Sequence, residues 1–151
     1  MTILKSKEHI CMQKRRFYIA LCCGSLIIGG IIYIIFRPDT YVSNLFDNIT
    51  FFEKLRLYIS DSDYSFLKFY LPDYLWCFSL CCGLVAIFEN KITNIFICCT
   101  TAFVCGVVWE TFQYVHIVSG VFDFFDILMY LLASISVAII NLRSFRNEKV
   151  N

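Results

Sequence analysis

The stretch ITNIFICCTTAFVCGVVWETFQYVHIVSGVFDFFDILMYLLASISVAII, Ile92 to Ile140, decides the fold. It contains two apolar windows, 92–112 and 121–140, with no Lys or Arg in either. Each is about 20 residues long, the length that carries an α-helix across a hydrocarbon core of roughly 30 Å. The connection around 114–120 is short, so the two helices are predicted to be antiparallel neighbours.

Two more windows of the same kind lie upstream, at 17–36 and 71–88. The chain has 151 residues, 59% of them hydrophobic. Its mean hydropathy is +0.69. A soluble domain is usually about 45–50% apolar, and here the excess lies in long blocks. The predicted class is therefore all-α, a polytopic membrane protein with a four-transmembrane-helix bundle and the lipid bilayer as its first partner. Residues 1–16 read as a basic cytoplasmic N-terminus and 37–70 as an external loop. Phe52, Leu55 and Ile59 in that loop make an apolar stripe suited to a helix lying in the membrane interface. Residues 71–140 form a three-helix core and 141–151 a cytoplasmic tail. The net charge of +1, with no basic groove pattern, gives no sign of nucleic acid as a partner.

The first window follows Lys14, Arg15 and Arg16 and precedes Arg37-Pro38-Asp39. At about 20 residues it exceeds the usual signal-peptide core of about 7–15, and no small-residue cleavage site follows it. It reads as an uncleaved anchor. Ala20 with Gly24, and Ser25 with Gly29, put small residues four apart, which suits close helix packing. Eight of the nine cysteines fall inside the windows, where Cys behaves as a small hydrophobe. Asn48-Ile49-Thr50 fits a glycosylation sequon, relevant only in a pathway that glycosylates.

Basic residues favour the cytoplasmic side of short loops. Lys5, Lys7, Lys14, Arg15 and Arg16 at the start, and Arg143, Arg146 and Lys149 at the end, place both termini in the cytoplasm. The turn Glu89-Asn90-Lys91 is then cytoplasmic too, and 37–70 and 114–120 lie outside. That topology gathers four acids in one outer layer. Asp73 opens the second span, Glu110 lies near the end of the third, and Asp123 starts the fourth. Asp126 is about 9 Å in from Gly120 along a helix rising 1.5 Å per residue, a turn too deep to cap it.

An ionisable residue in a span is a functional-site hypothesis by default. Helical spacing of three or four adds Gln113 to Glu110, and Asp126 and Tyr130 to Asp123. Gly106, one turn before Glu110, allows a neighbour to approach closely. The candidate polar site is Asp73, Glu110, Gln113, Asp123, Asp126 and Tyr130. Glu110, Asp123 and Asp126 supply oxygen ligands suited to a divalent cation such as Mg²⁺ or Ca²⁺. For Asp73 and Asp123 a helix-capping role competes with this reading. His116 reads as a loop residue, and Trp76 and Trp109 as interfacial aromatics.

Gly106-x3-Glu110-x2-Gln113, followed by Gly120, Asp123 and Asp126-x3-Tyr130, resembles the VanZ-like family of small bacterial membrane proteins. That family shares an E-x2-Q pair near the end of one helix and a D-x3-N/Y-x2-G pattern in the next. Tyr130 stands where the VanZ type has Asn, Ala133 replaces the Gly, and Val118-Ser119 replaces a basic residue often found before the last helix. Leu71-Pro72-Asp73-Tyr74-Leu75-Trp76 resembles the acidic start of the family's earlier span.

The resemblance covers roughly 70–133 and describes a divergent member. It implies a multi-pass protein of the bacterial cytoplasmic membrane, acting in the cell envelope and linked to glycopeptide or envelope-stress resistance. The function expected is an outward-facing acidic site that binds a cation or a polar lipid-linked ligand. The alternatives are a metal-assisted hydrolase or transferase acting on a lipid-linked phosphate, and a structural or accessory membrane subunit. A homo-oligomer is compatible with each.

Overall fold

The computed structural model describes residues 2–36, 69–88 and 92–150. Its elements are α1 (Thr2–Phe36), α2 (Leu71–Ile87), α3 (Ile92–Tyr114) and α4 (Phe124–Val150). Among the described residues there is no strand, so the chain is all-α. The stripe at Phe52, Leu55 and Ile59, the sequon and the turn Glu89-Asn90-Lys91 fall outside them.

Three helical stretches are long and apolar enough to cross a membrane: Met12–Phe36, Asn94–Tyr114 and Phe124–Ser144. The chain is a multi-pass membrane protein on that basis. The second predicted span, α2, is an apolar helix of 17 residues. At 1.5 Å per residue it reaches roughly 25 Å, the short end of the spanning range.

The helices outrun the apolar windows at the ends rich in Lys, Arg, Glu and Gln. These are good helix formers, so α1 begins well before Phe17 and α4 continues well past Ile140. The start of α4 is later than its window. Val121 and Phe122 belong to the connection, and the helix begins at Phe124, just after Asp123. Proline in the first turn opens α2, where its missing N–H costs no hydrogen bond.

Side-chain contacts fix the directions. Cys22 on α1 meets Ser79 on α2, its Sγ 3.2 Å from Oγ. A Cβ added at Gly29 would touch Leu75 and Trp76. Rising numbers on α1 therefore meet falling numbers on α2, an antiparallel pair. Asp73 and Cys77 both reach Tyr130, and Cys81 reaches Ser134, so α2 and α4 run parallel. Glu110 reaches Tyr130 and Ser134 donates to the Cys99 carbonyl, which makes α3 and α4 antiparallel. The order is up, down, up, down, with α1 packed on α2.

The buried core holds Cys81, Cys82, Cys99, Ala102, Ala133 and Val137. Lipid is as apolar as these side chains, so burial alone does not drive their association. Small residues that let backbones come close supply the van der Waals contact instead. Five cysteines are buried here in the packing role expected of them. Of the small pairs expected on α1, Ser25 and Gly29 are buried, whereas Ala20 is exposed and Gly24 has no neighbour within 4 Å of a Cβ position. The two pairs lie on different faces of one helix, and only the face that also carries Cys22 meets α2.

Candidate functional site

Tyr130 joins the candidate site across three helices. Its ring lies flat against α3 because Gly106 leaves the space. A Cβ at Gly106 would stand 2.5 Å from the ring. The hydroxyl is then carried between two carboxylates, 3.2 Å from Glu110 Oε1 and 3.3 Å from Asp73 Oδ1. A hydroxyl has one proton, so it donates to one of them at a time.

Glu110 is the inner member of this relay, with 1% of its surface exposed. Its second oxygen, Oε2, accepts the backbone N–H of Asp123 at 3.4 Å. One carboxylate thus ties α3 to the α4 side chain and to the entry of α4. Burying a carboxylate is costly unless it is hydrogen-bonded; the Asp123 N–H serves one oxygen, and the Tyr130 hydroxyl serves the other when its proton turns to Glu110 rather than to Asp73. Asp73, in the first turn of α2, is half-buried and forms the outer member.

Asp123 serves the helix rather than the relay. Its Oδ1 accepts the N–H of Phe125 at 2.9 Å, the bond an N-cap residue makes. Its backbone carbonyl accepts the N–H of Asp126 at 3.2 Å. Asp126 corrects the sequence reading. With α4 starting at Phe124, it lies in the first turn and is half-buried, where its charge complements the helix dipole.

Gln113 bridges the connection. With its amide nitrogen turned to the connection, Nε2 donates to the Val121 carbonyl at 3.1 Å, and Oε1 accepts the indole N–H of Trp109 at 3.0 Å. Gly120 has φ +153°, and a Cβ there would stand 2.6 Å from the Gln113 amide carbon. The exposed His116 caps α3 in the left-handed conformation, φ 58°. Its N–H donates to Gln113 O at 3.0 Å, and the N–H of Ile117 donates to Phe112 O at 2.9 Å. This is the Schellman closure of a helix, with His116 where glycine is usual.

Two participants were not singled out in the sequence as site residues. Trp109 was expected to be interfacial only, although its spacing of four from Gln113 was a usable signal. Tyr70 stands across from α4, beside Asp123 and Asp126, with its ring centroid 5.5 Å from that of Phe125. Its hydroxyl pKa is pushed above 10.0 by desolvation and then by the charge and hydrogen bond of Asp123. No sequence periodicity connects Tyr70 to residues more than fifty positions away.

The structure thus brings Asp73, Glu110 and Tyr130 into direct contact and attaches Asp123 through its backbone. Gln113 acts one layer nearer the connection. Among the described residues, no group of three His, Cys, Asp or Glu side chains is placed to hold a metal ion. Of the three carboxylates whose residue types suit a divalent cation, Asp123 accepts the N–H of Phe125 at one oxygen and Glu110 accepts the N–H of Asp123. No family model, no curated protein and no solved structure matches this chain.

Proposed function

We propose that the Asp73–Tyr130–Glu110 relay is a binding site for the polar head group of a lipid-linked ligand. The resemblance to VanZ-like proteins supports placing it in a bacterial cytoplasmic membrane, within the cell envelope. The basic N-terminal and C-terminal segments favour cytoplasmic termini, with the relay at the external end. The observation that carries the reading is the pairing of an almost fully buried Glu110 with a half-buried Asp73 through one hydroxyl. Carboxylates recognise donors and cations, so the head group is one that presents N–H groups, such as a primary amine. Asp73 offers the first contact, and Tyr130 passes the change in hydrogen bonding to Glu110.

Native mass spectrometry tests this on protein released from mixed phosphatidylethanolamine and phosphatidylcholine nanodiscs. The two lipids differ in that only the first has N–H donors. Preferential retention of phosphatidylethanolamine by the wild type, lost in Tyr130→Phe, is the expected outcome. Equal retention of both lipids by the wild type contradicts the proposal.

A second reading is a structural clasp. It is favoured by Glu110 having internal partners at both oxygens, Tyr130 and the Asp123 backbone. In that case Tyr130→Phe destabilises the bundle and leaves lipid preference unchanged.

A further inference from the structure

Two carboxyl groups and one hydroxyl meet at Tyr130 with too few protons for the contacts they make. Oη lies 3.2 Å from Glu110 Oε1 and 3.3 Å from Asp73 Oδ1. With both acids ionised, the three oxygens hold a single proton, that of the hydroxyl. Whichever carboxylate it serves, the other turns an anionic oxygen towards the lone pairs of Oη with nothing between them. One added proton removes the conflict. A protonated carboxyl donates to Oη, the hydroxyl donates to the remaining carboxylate, and both contacts are hydrogen bonds at the same time.

Burial decides which acid carries the added proton. Glu110 is 1% exposed, whereas Asp73 is half-buried. The other partner of Glu110 is the Asp123 N–H at 3.4 Å. That donor is neutral, and the distance exceeds the usual range of about 2.7–3.2 Å. A buried carboxylate without a cation beside it takes up a proton rather than stay charged. The titratable groups around the relay, from the two helices packed on α3, are Asp73 of α2 and Tyr130 and Asp126 of α4, with Asp123 at the entry of α4. Each is an acid, so together they add negative charge around Glu110 rather than offset it. His116, beyond the end of α3, is exposed. Asp73 lies in the first turn of α2, where the positive end of the helix dipole favours a charge.

We propose that Glu110 and Asp73 share one bound proton through Tyr130, with the proton resting on Glu110 and the charge on Asp73. Glu110 Oε1–H then donates to Tyr130 Oη, and the Tyr130 hydroxyl donates to Asp73 Oδ1. When both protons advance together, Glu110 gives its proton to Oη as Oη gives its own to Asp73. The hydroxyl is restored, no proton enters or leaves, and the negative charge passes from Asp73 to Glu110. The ligand is the proton itself, and it is held with or without a lipid head group at Asp73.

The test is infrared spectroscopy of the full chain near neutral pH, in a maltoside detergent that has no carbonyl band of its own. The carbonyl stretch of a protonated carboxyl is resolved there from carboxylate and amide bands. Cell-free synthesis supplies wild-type protein with glutamate or aspartate carrying carbon-13 at the side-chain carboxyl. The wild type is expected to show one protonated-carboxyl band, moved to lower frequency by labelled glutamate and unmoved by labelled aspartate. Glu110→Gln is expected to abolish the band, and Tyr130→Phe to shift or remove it. No such band in the wild type would overturn the proposal. A band that follows labelled aspartate, or one unchanged in Tyr130→Phe, would overturn it too. The isotope labels act on the wild type, so the assignment does not depend on whether a variant folds.

Discussion

At the scale of single residues, two backbone positions decide whether the relay exists. Gly106 is the space in which the Tyr130 ring lies, and the ring cannot retreat because it is buried between three helices. Gly106→Ala is expected to destabilise the protein by about 1–3 kcal/mol, the usual cost of overpacking. It should also separate Tyr130 from Glu110, visible as a lower melting temperature and a changed tyrosine ultraviolet resonance Raman signal. His116 is the opposite case. It holds a left-handed φ of 58° that costs a non-glycine residue roughly 1–2 kcal/mol. His116→Gly should therefore stabilise the protein by about 1 kcal/mol in a urea or thermal melt. A loss of stability would mean that the imidazole makes a contact that matters. Gly106 was legible in sequence because it lies one turn from Glu110. The strain at His116 was not, because nothing marks where α3 stops except the hydrogen bonds that close it.

At the scale of elements, the apolar windows were legible because lipid imposes a length and a composition on each helix. Their ends were not. The chain continues helical wherever good helix formers follow, so α1 and α4 extend beyond the hydrocarbon, and only Asp123 shows where α4 begins. That one residue also explains why Asp126 was misplaced. A start at Phe124 brings Asp126 into the first turn, where a carboxylate faces the positive end of the helix. Convergence of Asp73 and Glu110 was readable from up-and-down topology alone. Their joining through Tyr130 was not, since helical spacing had placed Tyr130 with Asp126. Asp123→Ala should cost about 1 kcal/mol through loss of the cap. Asp123→Ser restores an acceptor for the Phe125 N–H and should recover most of that loss. Equal losses in both variants would show that the Asp123 charge, and not its cap bond, supports the structure.

At the scale of the whole molecule, the bundle separates its chemistry by end. Lys14, Arg15, Arg16 and Arg143 stand at one end, and Asp73, Glu110, Asp123 and Asp126 at the other. Between them lies a core of small residues that sets helix spacing. Tyr130 is the point where core and acidic end meet, since it is packed against Gly106 and bonded to both carboxylates. The most direct measurement is the melting temperature of detergent-purified wild type and Asp73→Asn, titrated with short-chain phosphatidylethanolamine or phosphatidylcholine. Asp73 is half-buried, and Asn in its place keeps an oxygen acceptor for the Tyr130 hydroxyl, so the variant should melt near the wild type without lipid. A ligand that binds only the folded state at a hundredfold excess over its Kd stabilises by about 2.7 kcal/mol. The expected result is a rise of several degrees with phosphatidylethanolamine in the wild type, absent with phosphatidylcholine and absent in Asp73→Asn. The same rise with both lipids, or an equal rise in wild type and variant, would contradict a head-group site at the relay and leave the clasp as its role.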